Sequence, residues 1–125
     1  MSRVKGKDTK PEMLIRRSLH RLGYRFRLHR KDLPGSPDIV LPKFRTAIFV
    51  NGCFWHGHDC PRGKRPASNT AFWNEKLNKN EERDQRNYQA LKQLGWHVEV
   101  VWECEIKRSL EDIETNLCQR LTERP

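Results

Sequence analysis

The sequence has no apolar run long enough to cross a membrane, and its first residues do not form a signal peptide. It also has no internal repeat, no low-complexity tract and no linker. We therefore expect a soluble protein of the cytoplasm. The 125 residues suit one compact domain, which we place at residues 9–125, behind a basic arm at residues 1–8. Apolar residues make up only 35% of the chain, so the core must be small.

Acidic residues are outnumbered: 25 lysines and arginines face 16 aspartates and glutamates, which gives a net charge of +9. A small, strongly basic domain most often binds nucleic acid. The alternative is a solvated basic surface without a polyanionic partner. Cysteine is present four times, but a reducing compartment argues against two disulfides. Cys53 and Cys60 lie close together with histidines between them, which points instead to a metal site.

Periodicity and turn residues predict one α/β domain with a mixed sheet and helices on both faces. Thr9 is a plausible N-cap of the first helix, and Glu12 would complete a capping box with it. Residues 51–69 form a long loop, which in a small domain should be functional or ordered by a ligand. The predicted helices cover residues 9–23, 70–94 and 109–121, and the predicted strands cover residues 24–29, 38–41, 46–50 and 97–103.

The stretch GCFWHGHDC, residues 52–60, carries the ligands that a structural zinc ion prefers. Cys53 and Cys60 supply two ligands, and either His56 or His58 supplies a third. Cys104, directly after an apolar strand, is well placed to be the fourth. The alternative is a set of buried thiols without metal. The spacing leaves open which histidine binds, but it suggests that only one is needed.

Two carboxylates stand where apolar residues are expected. Asp38 opens a buried strand after a proline, where it either caps the turn or holds a hard cation such as Mg²⁺. Asp84 falls, with Asn80, on the apolar stripe of the long helix. It either pairs with a neighbouring arginine or orients a catalytic histidine.

Basic and aromatic side chains interleave around this long helix and predict a DNA-binding face whose aromatics could enter the base stack. For each aromatic the alternative is core packing. The residues concerned are Phe54, Trp55, Lys64, Arg65, Phe72, Trp73, Lys76, Lys79, Arg83 and Arg86.

Taken together, these segments resemble the very-short-patch repair endonucleases, which nick DNA beside a T:G mismatch left by deamination of 5-methylcytosine. The matching segments follow the family's order over nearly the whole chain: GKDTKPE, LPGSPDIVLP, FVNGCFWHGHDC, FWNEKLNKNEERD and LGWHVEVVWECE. The resemblance implies a restriction-endonuclease-like three-layer fold with a structural zinc. It also implies Mg²⁺-dependent nicking of double-stranded DNA 5′ to the mismatched T and a functional link to a cytosine-5 methyltransferase. Because only one strand is nicked, we expect a monomer.

The resemblance also assigns roles to individual residues. His56 is left free as the general base, and Asp38 binds Mg²⁺ with the backbone carbonyl of Val50. Glu12 and Asp84 match acidic residues near the active site. The zinc ligands would be Cys53, His58, Cys60 and Cys104, and the residues that enter the DNA would be Met1, Phe54, Trp55 and Trp73.

Asn51 departs from the family, which often has a histidine at this position. An amide cannot act as general acid or base near neutral pH, so Asn51 could assist only indirectly, for example by holding a water. Two alternatives to a mismatch endonuclease follow. One is a zinc-stabilised module that binds mismatched DNA with weak or no catalysis. The other is a restriction-like nuclease that cuts undamaged DNA.

Overall fold

A computed structural model describes residues 9–53, 60 and 64–123 of the chain. Helix α1 is followed by two short strands, a third strand, the long helix α2, a fourth strand and two closing helices. The bounds are α1 Lys10–Arg21, β1 Arg27–Leu28, β2 Ile39–Leu41, β3 Thr46–Asn51, α2 Thr70–Gln93, β4 His97–Trp102, α3 Glu103–Arg108 and α4 Leu110–Thr122.

The four strands form one mixed sheet in the order β1-β2-β3-β4. β1 and β2 pair antiparallel, β2 and β3 pair antiparallel, and β3 and β4 pair parallel. A short 3-10 turn at Pro42–Phe44 and a left-handed Arg45 close the hairpin between β2 and β3. The predicted mixed sheet and central hairpin are therefore confirmed.

Helices cover both faces of this sheet, as predicted. On one face Ile39, Leu41 and Ile48 pack with the inward residues of α1, α3 and α4. On the other face Val40, Ala47 and Phe49 pack against Leu91 of α2. This alternation along β2 and β3 is what a strand buried on both sides requires. No helix within the described ranges is long and apolar enough to span a membrane.

Three boundaries differ from the prediction. The strand expected at residues 24–29 pairs only at Arg27–Leu28, because His29 turns the backbone to a positive φ of 51°. β3 continues through Asn51, so this residue belongs to the sheet and not to the following loop. Cys104 lies in the first turn of α3, a short helix that the pattern HVEVVWE did not indicate.

Two strand registers bring distant residues together. Leu28 pairs with Ile39 in the antiparallel ladder, so the next pair outward is His29 and Asp38, and the His29 N–H donates to the Asp38 carbonyl at 3.1 Å. Asn51 pairs with Trp102 in the parallel ladder, so Cys53 and Cys104 each follow two residues later. The sheet thereby places both candidate metal sites near its strand ends.

Candidate functional site

The first candidate metal site joins α1 to the end of β1 and the start of β2. One ligand atom each of Glu12, His29 and Asp38 lies within 4.8 Å of the others. Glu12 is 1% exposed, although it carries a charge. A buried carboxylate needs compensating partners, and a cluster of two carboxylates and an imidazole can supply oxygen and nitrogen ligands to a cation.

Glu12 is oriented by its helix and by Arg16. Thr9 caps α1 and accepts a hydrogen bond from the Glu12 N–H at 3.4 Å, as predicted. The Glu12 carboxylate, however, pairs with Arg16 one turn later and lies 3.0 Å from Nε2 of His29. Its side chain therefore faces the cluster, and of the predicted capping box the structure shows the half made by the Thr9 side chain.

Asp38 is held by the backbone of the neighbouring strand. Its Oδ2 accepts a hydrogen bond from the Val50 N–H at 2.8 Å. This contact fixes the carboxylate across the β2–β3 hairpin, so the turn-capping interpretation through its own backbone is not needed to explain its position. It also brings the Val50 main chain beside Asp38, while ligation by the Val50 carbonyl stays a prediction.

His29 completes the cluster and was missed by the sequence interpretation. Its Nε2 lies 2.9 Å from a terminal nitrogen of Arg16 and 3.0 Å from Oε2 of Glu12. This ring nitrogen lies between a guanidinium donor and a carboxylate acceptor, so its tautomer decides whether it accepts from Arg16 or donates to Glu12. The strand register could have identified it, because a histidine at the end of the edge strand β1 lies opposite Asp38.

A second polar group adjoins this cluster on the α2 side of the sheet. The buried Asn51 donates from Nδ2 to the hydroxyl of Tyr88 at 2.9 Å. Burial raises the pKa of Tyr88 to about 12, and the carboxylates of Asp84 and Asp38 act in the same direction. Asp84 itself contacts Arg83 at 3.3 Å, which agrees with the arginine-pairing alternative for this residue.

The second candidate metal site consists of three cysteines. The sulfurs of Cys53, Cys60 and Cys104 all lie within 4.8 Å of one another. Around a tetrahedral ion with Zn–S bonds of about 2.3 Å, sulfurs stand about 3.8 Å apart, so this cluster fits zinc with little movement. Burial raises the pKa of Cys53 to about 12, so without metal this sulfur stays protonated.

Several predicted residues lie outside the described residues. They include both histidines of the GCFWHGHDC stretch and the aromatics between its cysteines. Their predicted roles as general base, zinc ligand and DNA wedge therefore remain predictions. These residues are Met1, Phe54, Trp55, His56 and His58.

The described residues of the predicted DNA-binding face differ in their contacts. Lys64 and Lys76 are exposed. Arg65 instead donates to Asn74 at 3.0 Å and lies 3.5 Å from Glu81, so it ties the preceding loop to α2. Lys79 is exposed beside Glu75 at 3.1 Å.

Two aromatic side chains lie at the start of α2. Phe72 is 60% exposed and packs edge-to-face on the half-buried Trp73, with ring centroids 5.2 Å apart. An exposed aromatic beside exposed lysines is typical of a surface that binds nucleic acid.

Comparison with known proteins agrees with a nuclease site. A family model described as DNA mismatch endonuclease Vsr matches residues 1–62. Type II nicking enzyme V.XorIIP of Xanthomonas oryzae pv. oryzae is 55% identical over 106 residues, which cover 85% of this chain and 78% of that protein. Type II nicking enzyme V.NmeAIP of Neisseria meningitidis is 50% identical over 107 residues, 86% of this chain and 76% of that protein. DNA mismatch endonuclease Vsr of Escherichia coli is 42% identical over 123 residues, 98% of this chain and 79% of that protein.

Proposed function

Because this chain belongs to the Vsr family of DNA mismatch endonucleases, we propose that it nicks one strand of duplex DNA 5′ to the T of a T:G mismatch. The chain is a DNA endonuclease; the mismatch specificity and the metal chemistry are the proposal. The observation that carries it is the convergence of Glu12, His29 and Asp38 at one end of the sheet. This cluster offers oxygen and nitrogen ligands to a cation, which DNA binding alone does not require.

The proposed reaction is hydrolysis of one phosphodiester bond. A water oxygen attacks phosphorus and the bond from phosphorus to the 3′ oxygen breaks. The departing 3′ oxygen takes a proton from a solvent water, so the products are a 3′-hydroxyl and a 5′-phosphate. Asp38 and the Val50 carbonyl would hold Mg²⁺, which when bound neutralises phosphate charge and acidifies water. His56 would accept the proton of the attacking water, and Asp84 would orient the imidazole.

Glu12 and His29 support Asp38 in this scheme. Glu12 adds a second carboxylate within 4.8 Å, and Arg16 pairs with it. His29 is fixed to Asp38 through the backbone hydrogen bond and to Glu12 through its ring. Together they keep the anionic cluster assembled before metal and DNA arrive, which lowers the reorganisation that catalysis requires.

A structural zinc ion would order the segment that carries His56. Cys53, Cys60 and Cys104 provide three sulfurs in compatible positions, and His58 would be the fourth ligand. Because Cys53 and Cys104 are anchored at adjacent strand ends, the ion would fix the loop relative to Asp38. We propose the restriction-endonuclease-like arrangement that the family implies, with this zinc site at its edge.

Recognition of the mismatch would combine charge with base unstacking. The net charge of +9 favours the phosphate backbone of DNA. Phe54, Trp55 and Trp73 would wedge into the base stack beside the mismatch, and Met1 would intercalate from the arm. A mismatched pair is easier to unstack than a matched pair, so the deformation itself discriminates. Lys64, Arg65, Lys76 and Lys79 would contact phosphates.

The biological setting follows from this substrate. T:G pairs arise where 5-methylcytosine is deaminated, so we propose a functional link to a cytosine-5 methyltransferase of a bacterial cytoplasm. Two relatives carry the name of type II nicking enzymes, which agrees with a cut in one strand. A cut in one strand needs a single active site, which supports a monomer.

The test is nicking of end-labelled duplexes with and without Mg²⁺. We expect cleavage of the T strand in a T:G duplex, no cleavage of the matched T:A duplex, and no cleavage without a divalent ion. Asp38→Ala should abolish nicking, while Asp112→Ala, at an exposed position on α4, should not. Mg²⁺-dependent nicking that survives Asp38→Ala would contradict this mechanism. Equal cutting of T:A would favour a restriction-like nuclease, and tight T:G binding without nicking would favour a binding module.

A further inference from the structure

A hydrogen-bonded polar pair, the buried Asn51 and the half-buried Tyr88, adjoins the proposed catalytic cluster. Asn51 is the last residue of β3 and is 4% exposed. It directly follows Val50, whose N–H holds the Asp38 carboxylate. The Asn51 side chain lies on the α2 face of the sheet, where its Nδ2 donates to the Tyr88 hydroxyl at 2.9 Å.

Tyr88 is itself rigidly held. Its ring packs edge-to-face on Phe49, with centroids 5.0 Å apart and an interplanar angle of 61°. The raised pKa of about 12 keeps its hydroxyl neutral throughout the physiological range. The hydroxyl therefore serves as a fixed hydrogen-bonding group and not as a base. Since the side-chain amide of Asn51 is planar, fixing Nδ2 also fixes the direction of its carbonyl oxygen.

We propose that Tyr88 is a positioning residue of the nuclease reaction: it holds the Asn51 amide in the orientation in which Asn51 hydrogen-bonds the attacking water. The proposal rests on the function proposed above. Asn51 follows Val50, which holds the Asp38 carboxylate. Besides burial, the Asp84 and Asp38 carboxylates also act to raise the pKa of Tyr88, so the pair lies near these carboxylates. The buried amide of Asn51 needs a hydrogen-bond partner, and the half-buried Tyr88 hydroxyl supplies one.

The chemistry assigned to Asn51 is orientation without proton transfer. An amide neither gains nor loses a proton near neutral pH, but it can align a water for in-line attack on phosphorus. The proton of that water passes to the general base, which we propose is His56. Misplacement of a reacting group by about 1 Å can reduce a rate about 100-fold, so loss of the Tyr88 contact should be visible in the chemical step.

The experiment measures single-turnover nicking of a T:G duplex in Mg²⁺ at saturating protein. Tyr88→Phe keeps the ring on Phe49 and removes only the hydroxyl. We expect the rate to fall about 10- to 100-fold while DNA affinity and Tm stay close to those of the unmodified protein. Tyr24→Phe is the matched control: Tyr24 also packs edge-to-face on a phenylalanine, Phe44, at 5.6 Å, but within the core on the opposite face of the sheet.

A double-mutant comparison separates positioning from general stabilisation. If Tyr88 acts through Asn51, then Asn51→Ala should lose about as much rate as Tyr88→Phe, and the double variant should lose little more. Losses that multiply would overturn the proposal, as would a Tyr88→Phe protein that nicks within twofold of the unmodified protein. The proposal would also be overturned if DNA affinity fell by the same factor as the rate, or if the fall in rate came with a clear fall in Tm.

These outcomes distinguish the two proposals. If the unmodified protein nicks T:G and Tyr88→Phe nicks equally well, only the positioning role fails. If the unmodified protein nicks no T:G duplex, the proposed function fails and the positioning role fails with it.

Discussion

Replacing Asp38 by asparagine tests whether the Glu12–His29–Asp38 cluster is built for a cation at the expense of stability. At an effective dielectric constant of about 20, two ionised carboxylates about 4.8 Å apart repel by roughly 3.5 kcal/mol. Their ligand oxygens lie at most 4.8 Å apart. Arg16, which pairs with Glu12, offsets part of this repulsion, on the order of half.

The substitution also weakens one hydrogen bond. The asparagine oxygen can still accept from the Val50 N–H, but a neutral acceptor is weaker than a charged one by about 0.5–1 kcal/mol. We therefore expect Asp38→Asn to stabilise the protein by about 1 kcal/mol when Mg²⁺ is absent. In a chain of this size that corresponds to a rise in Tm of about 3–5 °C.

When Mg²⁺ is added, the unmodified protein should become more stable than the Asp38→Asn protein. An ion present at about ten times its Kd stabilises the unmodified protein by about 1.4 kcal/mol, and the Asp38→Asn protein should lose most of that gain. The assay is thermal unfolding by circular dichroism with and without Mg²⁺, in buffer without chelator so that a bound zinc ion stays in place. Asp112→Asn is the control and should respond to Mg²⁺ like the unmodified protein.

The reasoning would be refuted by an Asp38→Asn protein that is less stable than the unmodified protein without Mg²⁺. It would equally be refuted if Mg²⁺ raised both Tm values by the same amount. In the first case Asp38 would be a structural residue of the hairpin, and in the second the ion would bind elsewhere.

Three further predictions concern the rest of the molecule. Hydrogen bonds from Ser18 and then Arg21 lower the pKa of Glu114, so Glu114→Gln should cost about 1 kcal/mol at pH 7, measured by urea unfolding. Because the lowered pKa stabilises the fold only while the carboxyl is ionised, this difference should shrink as the pH falls below about 4.3. Cys104→Ser should reduce bound zinc, measured by mass spectrometry of the metal, from about one ion per chain to none. It should lower stability by about 4 kcal/mol, as for an ion held at 1,000 times its Kd. Leu91→Ala, at a fully buried site under the sheet, should cost about 2–5 kcal/mol by urea unfolding.

Each of these variants has a matched control in the chain. Glu82 is exposed on α2, so the stability difference between Glu82→Gln and the unmodified protein should depend little on pH. Cys118→Ser removes the cysteine outside the three-cysteine cluster and should leave zinc content unchanged. Leu94→Ala, 55% exposed, should stay within about 0.5 kcal/mol of the unmodified protein. A control that changed as much as its partner would contradict the corresponding assignment.

The three longer helices and the central hairpin could be predicted because their signals are local. Thr9 and Ser109 are hydroxyl caps whose side chains accept the expected backbone hydrogen bonds. The β-branched runs before and after Pro42 have the composition of strands buried on both sides. For these elements the sequence pattern and the tertiary packing favour the same conformation.

The features that were missed depend on contacts between distant segments. His29 looked like one more residue of an alternating strand, and only pairing with β2 places it opposite Asp38. Nothing in the local pattern of α2 marks Tyr88 as a polar partner, and only the length of β3 brings Asn51 to its hydroxyl. The short helix α3 has six residues, too few for a periodic pattern to be recognised.

Cys53 and Cys104 lie at the same distance in sequence from the paired ends of β3 and β4, and this restricts where homologues can gain or lose residues. Each cysteine follows the last strand pair, Asn51 and Trp102, by two residues. One inserted residue at either strand end would displace its sulfur by about 3.3 Å, which exceeds a Zn–S bond of about 2.3 Å. We therefore expect length variation among homologues to accumulate in the segment after Cys60, while the spacing between the paired strands and these two cysteines stays constant.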